Sequence, residues 1–177
     1  MDWLREMDIA IFRFIHVNCH SNLLDPVFLI ITSTGLGYVQ APPVLLFLRS
    51  RSFRRFVGPL LLTFALTGLS NLAFKQIVPR ERPSNLSFAL PQEGFFYDSF
   101  PSGHTVTSFG MAITLLYLTR GTAQHRWGKW ALVWAVLVGI SRIYRGVHWP
   151  SDMVGAAFVG LFWASLLQLI RNQRSPE

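Results

Sequence analysis

Three short stretches of the sequence combine residue types that can bind and transfer a phosphoryl group. The first covers residues 75–83, the second 101–104 and the third 141–152. Cations beside imidazoles and a carboxylate can neutralise a phosphate and supply both a nucleophile and a proton donor. The residues in these stretches that suit this chemistry are Lys75, Arg82 and Arg142, His104 and His148, Asp152, and the pair Ser102-Gly103.

The cations and the Ser-Gly pair predict how an anion would be bound. The guanidinium groups of Arg82 and Arg142 can each bond two phosphate oxygens, and Lys75 adds a compact charge. Ser102 is predicted to be the N-cap of a helix, with the free N–H groups of the next two residues directed into the site. Helix N-termini bind phosphate through such N–H groups.

The histidines and the carboxylate predict the chemistry. His148 and Asp152 are four residues apart, and Pro150 suits the first position of a helix. Asp152 would then accept the Nδ1 proton of His148 and leave Nε2 facing the anion. An imidazole nucleophile would attack phosphorus, and the second imidazole would protonate the leaving alkoxide. Because Lys and Arg neutralise the phosphate oxygens, we expect no metal and no cofactor.

Long segments with little charge surround these stretches and indicate membrane-spanning helices. Charged residues are 14% of the 177-residue chain and hydrophobic residues 51%, whereas soluble domains carry about 25% charged residues. The sequence predicts an all-α integral membrane bundle of five to six transmembrane helices, with one domain over 1–177 and the bundle over 23–172. Segments near the roughly 20 residues that cross a bilayer are Pro26–Leu48, Phe56–Phe74, Thr105–Thr119, Trp127–Tyr144 and Met153–Ile170.

The N-terminal region leaves the number of spans open. Residues 1–20 mix charged and apolar side chains and read as an amphipathic helix lying at the membrane interface. Alternatively, Pro26–Leu48 forms two half-spans, because Gly35-Leu36-Gly37 and Pro42-Pro43 interrupt it.

The distribution of charge predicts the orientation of the chain. The net charge is +7, but the basic residues cluster between spans and do not form a stripe that would bind nucleic acid. By the positive-inside rule the clustered loops face the cytoplasm, so the three polar stretches face outward. The clustered residues are Arg49, Arg51, Arg54, Arg55, Arg120, Arg126, Lys129, Arg171 and Arg174.

The pattern K-x6-RP, PSGH and SR-x5-H-x3-D resembles the three-part signature of the type 2 phosphatidic acid phosphatase superfamily, which is related to the vanadium haloperoxidases. The flanking spans are similar to those of its small bacterial six-helix members. The resemblance implies that His148 is the nucleophile, His104 the general acid and Asp152 the residue that orients His148. It also implies a set of phosphate ligands: Lys75, Arg82, Ser102, Gly103 and Arg142.

The resemblance implies hydrolysis of a phosphate monoester or diphosphate on a lipid headgroup, at the outer face of a bacterial inner membrane. Members act on phosphatidic acid, phosphatidylglycerophosphate, undecaprenyl diphosphate or lipid A 1-phosphate. The expected partners are the lipid substrate and the bilayer, with no nucleic acid and no obligate protein partner. Two alternatives stay open: a lipid phosphotransferase that uses the same phosphohistidine, and a non-catalytic membrane protein that binds lipid or anions.

The loop Ser84–Phe100 is rich in aromatic residues, which favours an interfacial flap beside the route by which a lipid reaches the site. Two further basic residues, Arg80 and Arg145, lie within the polar stretches without an assigned role. Arg145 would contact a headgroup or stay solvated. The aromatic residues of the loop are Phe88, Phe95, Phe96, Tyr97 and Phe100.

Overall fold

The computed structural model describes residues 2–94 and 98–174, and in these ranges the secondary structure is entirely helical. The all-α prediction is therefore confirmed. A π-helix over Phe14–Asn18 and 3-10 turns over Leu46–Arg49 and Pro83–Asn85 complete the helical structure. The α-helices are α1 (Asp2–Arg13), α2 (Leu24–Thr34), α3 (Gly37–Leu45), α4 (Arg54–Ile77), α5 (Gly103–Leu118), α6 (His125–Tyr144) and α7 (Pro150–Arg174).

Helix α5 is the centre of the bundle and packs against α4, α6 and α7. Small residues allow the close approach, as is common between membrane helices. A Cβ atom on Gly160 of α7 would lie 2.7 Å from the backbone nitrogen of Gly110 in α5. Further along, the hydroxyls of Tyr117 and Ser165 are 3.1 Å apart. These contacts show that α5 and α7 run parallel, so that both helices begin at the same end of the bundle.

Two helices, Arg54–Ile77 and Pro150–Gln173, are long and apolar enough to span a membrane. A third span exists if Leu24–Thr34 and Gly37–Arg49, which meet at a bend of 58°, count as one. The bend falls where the sequence predicted an interruption, and the count of five to six stays a prediction. Glycine is required at the bend, because a Cβ on Gly35 would lie 2.8 Å from Cδ2 of His104.

Helix α1 carries its apolar side outward and a carboxylate inward. Trp3 and Met7 are exposed, whereas Asp8 and Phe12 are buried. The ring of Phe12 packs on Trp149, with 5.6 Å between centroids. Outward apolar residues agree with the predicted position of this helix at the membrane interface, but the buried Asp8 was not predicted.

Candidate active site

The eight residues proposed from the sequence come from five segments that meet at one end of the bundle. Lys75 lies in the last turn of α4, Arg142 in the last turn of α6 and Asp152 in the first turn of α7. The contacts described below join most of this set, and His104 lies within electrostatic range of Arg142 and His148. The parallel α5 and α7 explain why residues 102–104 and 152 share this end.

His148 lies in the turn between α6 and α7 and is almost completely buried. Its Nδ1 is 3.4 Å from Oδ2 of Asp152, and its Nε2 is 3.2 Å from Nη1 of Arg82. We assign the tautomer from these partners: Nδ1–H donates to the carboxylate, and Nε2 accepts from the guanidinium. The unprotonated nitrogen therefore lies beside Arg82, one of the predicted phosphate ligands. That Nε2 faces the phosphate itself stays a prediction.

Burial lowers the pKa of His148 to about 4. Asp152 opposes this shift, while the positive charges of Arg142 and Arg82 act in the same direction as burial. The imidazole is thus neutral at pH 7, which is the state that a nucleophile requires.

Asp152 is completely buried and is held by several donors besides His148. Its Oδ2 accepts hydrogen bonds from Ser99 Oγ at 2.5 Å and from the Trp149 backbone N–H at 2.9 Å. Its Oδ1 accepts from Arg80 Nη1 at 2.5 Å. A carboxylate in the first turn of α7 is also favoured by the helix dipole. Asp152 is therefore fixed in one orientation relative to His148.

Arg80, which the sequence left unassigned, joins two carboxylates at this site. Besides Asp152 it binds Asp8 of α1, with 2.6 Å between Nη2 and Oδ2. It also donates to Ser151 Oγ at 2.9 Å. No local sequence signal could have linked Asp8 with Arg80 or Ser151, because they lie far apart along the chain.

The predicted phosphate ligands Lys75 and Arg82 share one backbone acceptor. The carbonyl oxygen of Asp98 accepts from Lys75 Nζ at 2.6 Å and from Arg82 Nη2 at 3.2 Å. Arg82 Nη1 also donates to the carbonyl of Val147 at 2.6 Å. The loop before α5 thus brings these two cations together beside His148.

Arg142 is buried, and its side-chain hydrogen bonds in the described ranges all use Nη1. That nitrogen lies 2.5 Å from Thr32 Oγ1 and 2.8 Å from each carboxylate oxygen of Glu93. Its Nε–H is buried and makes no hydrogen bond to the residues described. One edge of this guanidinium is therefore anchored, and Nε–H remains available to an anion.

Glu93 and Arg145 form a second feature that sequence reasoning missed. The Glu93 carboxylate accepts from Nε of Arg145 as well as from Arg142. Burial raises the pKa of Glu93, but these two arginines together hold it below its usual range. Arg145 also donates to the side chain and backbone of Gln92, each at 3.0 Å. It is only 6% exposed, so its interpretation as a solvated charge is wrong.

Ser102 is the N-cap residue of α5, at the position that the sequence predicted. Its hydroxyl makes no hydrogen bond to a backbone N–H of the first turn, and it accepts from the Thr105 hydroxyl at 3.0 Å. The N–H groups of Gly103 and His104 still begin the helix and have no intrahelical partner.

His104 has an apolar environment unlike that of His148. Within the described part of the chain its imidazole makes no hydrogen bond, and it packs against Gly35. His104 and Gly103 line a groove of about 550 Å³ between the α2–α3 bend and α4. The other walls are mainly small or apolar and include Gly37, Phe64, Gly68 and Leu72.

Two aromatic residues of the predicted flap are packed against neighbouring elements. Phe88 lies under the Arg13 guanidinium, 4.9 Å from its ring centroid, and Phe100 packs edge-on against Phe74. Phe95, Phe96 and Tyr97 lie outside the described residues. The flap remains a prediction.

Comparison with known proteins identifies relatives over most of the chain. The model of the PAP2 superfamily matches residues 56–176. An undecaprenyl-diphosphatase of Sulfolobus acidocaldarius is 29% identical over 96% of this chain and 80% of that protein. A lipid A 4'-phosphatase of Bacteroides thetaiotaomicron is 32% identical over 64% of this chain, and the match spans about half (52%) of that protein.

A solved structure supports the same relationship. The crystal structure of a transmembrane PAP2-type phosphatidylglycerolphosphate phosphatase from Bacillus subtilis superposes with a TM-score of 0.83. The superposition covers 99% of this chain and 89% of the other, at 26% sequence identity.

Proposed function

Since the chain belongs to the PAP2 superfamily, we propose that it hydrolyses a lipid phosphate through a phosphohistidine on His148. Family membership and the phosphatases among its relatives identify it as a lipid phosphatase embedded in a membrane. The observation that carries the mechanism is the pair of His148 contacts: Nδ1 toward Asp152 and Nε2 toward Arg82.

In the first step, Nε2 of His148 attacks phosphorus while the bond from phosphorus to the lipid oxygen breaks. The imidazole acquires positive charge, which the Asp152 carboxylate stabilises through Nδ1–H. Protonated His104 gives its proton to the leaving lipid oxygen, so the lipid departs as an alcohol, or as a monophosphate if the substrate is a diphosphate.

In the second step, water attacks the phosphohistidine. Neutral His104 removes a proton from this water, and the phosphorus–nitrogen bond breaks as the new phosphorus–oxygen bond forms. Inorganic phosphate leaves, His148 returns to its neutral form and His104 is protonated again. Each histidine ends the cycle in the state in which it began.

Binding of the phosphate rests on cations and backbone N–H groups. Lys75, Arg82 and the Nε edge of Arg142 would neutralise the equatorial oxygens, and the N–H groups of Gly103 and His104 would bind another oxygen. Ser102, the N-cap residue of this helix, would complete the set of phosphate ligands. These cations perform the charge neutralisation for which other phosphoryl-transfer enzymes use magnesium, so we propose that turnover needs no metal.

The substrate is proposed to be phosphatidylglycerophosphate, undecaprenyl diphosphate, phosphatidic acid or lipid A 1-phosphate. Two of these substrates match the names of relatives described above, undecaprenyl diphosphate and phosphatidylglycerophosphate. A third relative is named for the 4'-phosphate of lipid A and not for the 1-phosphate. The groove that begins at His104 is a suitable place for the first part of the lipid chain. The basic loops at the opposite end of the bundle favour a site on the extracytoplasmic side of the inner membrane.

The test is phosphate release by the detergent-purified protein in excess EDTA with each of the four lipids. We expect release that survives EDTA and disappears in His148→Ala but not in the control His125→Ala, at the opposite end of α6. Activity in His148→Ala would overturn the mechanism. Lipid consumption that exceeds phosphate release would indicate a phosphotransferase.

A further inference from the structure

Asp8 is a buried carboxylate in the N-terminal helix, outside the residues that the family model matches. It is 3% exposed. Its Oδ1 accepts from the Ser151 backbone N–H at 2.9 Å, and its Oδ2 accepts from Ser151 Oγ at 2.5 Å and from Arg80 Nη2 at 2.6 Å. Burial of a charged group is costly unless it is paired and hydrogen-bonded. Here the partners connect Asp8 to Asp152 and, through Asp152, to His148.

The contacts form a continuous chain from α1 to the nucleophile. Asp8 binds Arg80, Arg80 binds Asp152 and Asp152 binds His148. Asp8 also holds Ser151, which immediately precedes Asp152 in α7. The N-terminal helix is thus bonded both to the arginine that contacts the catalytic carboxylate and to the backbone that carries it.

We propose that Asp8 is a positioning residue for the phosphoryl-transfer reaction and that α1 is part of the active-site scaffold. Asp8 holds Arg80 and Ser151 in place, and they fix the orientation of Asp152. Asp8 also balances the charge of Arg80, so that the Asp152 carboxylate remains a strong acceptor for Nδ1–H of His148. This inference rests on the proposed role of His148 and adds an element that the three sequence motifs do not contain.

Charge balance predicts the direction of the effect. Without the negative charge of Asp8, the positive charge of Arg80 acts on Asp152 alone and competes with His148 for the carboxylate. His148 then loses part of the stabilisation of its charged form, which develops as Nε2 bonds to phosphorus. The phosphate ligands Lys75 and Arg82 do not contact Asp8, so the loss should appear in kcat and not in KM.

A second tether allows Asp8 to be changed without releasing the N-terminal region. Nδ1 of His16 is 2.7 Å from the backbone oxygen of Tyr144, and Nε2 accepts from the Leu90 N–H at 2.9 Å. The ring of His16 fits against Gly146, whose φ of 78° suits glycine and where a Cβ would lie 2.7 Å from the ring. These contacts hold the segment after α1 against α6 independently of Asp8.

The experiment compares Asp8→Asn with Glu6→Gln in the full-length protein, using the best lipid substrate. Glu6 is an exposed acid on the same helix and serves as the matched control. Asp8→Asn should lower kcat by about 10- to 100-fold, by analogy with the loss seen when a partner that orients a metal-binding side chain is changed, with KM nearly unchanged. Glu6→Gln should retain the wild-type kcat.

Three further variants separate positioning from general stability. Because Asp8, Arg80 and Ser151 form one network, the double variant Asp8→Asn/Arg80→Gln should lose less kcat than the product of the losses in Asp8→Asn and Arg80→Gln. If Asp8→Asn lowers Tm, kcat is measured below the transition, where the variant is folded; a loss of kcat there supports the proposal. The measurement is repeated with Asp8→Glu, which restores the negative charge and should recover part of kcat.

Wild-type kcat in folded Asp8→Asn would overturn the proposal, and so would losses that multiply in the double variant. His148→Ala is assayed in parallel. If His148→Ala is inactive while Asp8→Asn is fully active, only this inference fails. If His148→Ala is active, the proposed function fails with it.

Discussion

The two histidines of the site have contrasting surroundings. His148 is bonded to Asp152 and Arg82, and Asp152 is bonded in turn to Ser99, Arg80 and the backbone. The imidazole of His104 makes no hydrogen bond within the described residues and lies at the end of an apolar groove. A nucleophile must present one nitrogen in one direction, whereas a proton donor must follow an oxygen whose position depends on the lipid. The contrast therefore matches the two proposed roles.

One buried donor at the site has no partner among the described residues. Arg142 Nε is buried and makes no hydrogen bond in the ranges that the structure describes. Buried polar atoms are usually satisfied. We expect a phosphate oxygen of the substrate to accept from this N–H.

Asp152→Asn should cause the largest loss of kcat, because it changes the group that orients His148. An amide keeps the shape of the carboxylate, but it holds the imidazole in the wrong tautomer and does not stabilise its positive charge. We expect kcat to fall by about 10³- to 10⁴-fold, the size of effect found for the equivalent change in a catalytic triad. The control is Asp98→Asn, because Asp98 contributes its backbone carbonyl and its side chain is exposed. Near-normal kcat in Asp152→Asn would contradict the account.

His104→Ala should have an effect that depends on the leaving group. With a lipid phosphate we expect a loss of about 10²- to 10⁴-fold, because the alkoxide then leaves without a proton. With p-nitrophenyl phosphate, whose leaving group needs no proton, the first step should be nearly normal and phosphoenzyme should accumulate. Single-turnover kinetics with both substrates provides the measurement. Equal losses of the first step would show that His104 is not the proton donor.

Gly68→Leu should fill part of the groove beside His104 and so test whether the groove binds the lipid chain. No atom lies within 4 Å of a Cβ placed on Gly68, so the side chain can be added without a clash. We expect KM for a long-chain lipid to rise by about 10-fold, equivalent to losing 1.4 kcal/mol of binding, with no change for a short soluble analogue. Gly58→Leu, on the same helix and equally unobstructed, is the control. Equal increases in KM for both substrates would show that the groove does not bind the lipid chain.

The pH dependence of kcat/KM should show the smallest effect. His148 must be neutral to attack, and its pKa of about 4 means that kcat/KM rises as pH increases through about 4. Between pH 5 and 7 this group should then cause no further rise. Asp152 faces this imidazole from α7, Arg142 from α6 and Arg82 from the loop after α4. An acidic limb near the ordinary histidine pKa of about 6.5 would contradict a buried, neutral nucleophile.

The sequence predicted the membrane bundle and the residues that the three motifs contain. Lys75, Arg82, His148 and Asp152 could be found because each lies at a recognisable spacing beside the end of an apolar segment. Even the interruption at residues 35–37 was visible from its glycines. Helical periodicity and motif spacing are local properties, which one sequence displays directly.

The residues that were missed depend on partners far away in the chain. Asp8 and Glu93 look like ordinary acids in the sequence, and only the fold places them against Arg80, Arg142 and Arg145. Contacts of this kind depend on how the helices pack against one another. The spacing of residues along the sequence does not reveal this packing.

Trapping of the phosphoenzyme would show directly whether His148 carries the phosphoryl group. The purified protein would be mixed with radiolabelled lipid phosphate in excess EDTA and quenched in alkali, in which phosphohistidine is stable, and the labelled peptide would be identified by mass spectrometry. We predict an acid-labile label on His148 and no label in His148→Ala. With a good leaving group, more of the labelled phosphoenzyme should accumulate in His104→Ala. A label on another residue, or turnover by His148→Ala, would contradict the proposed mechanism.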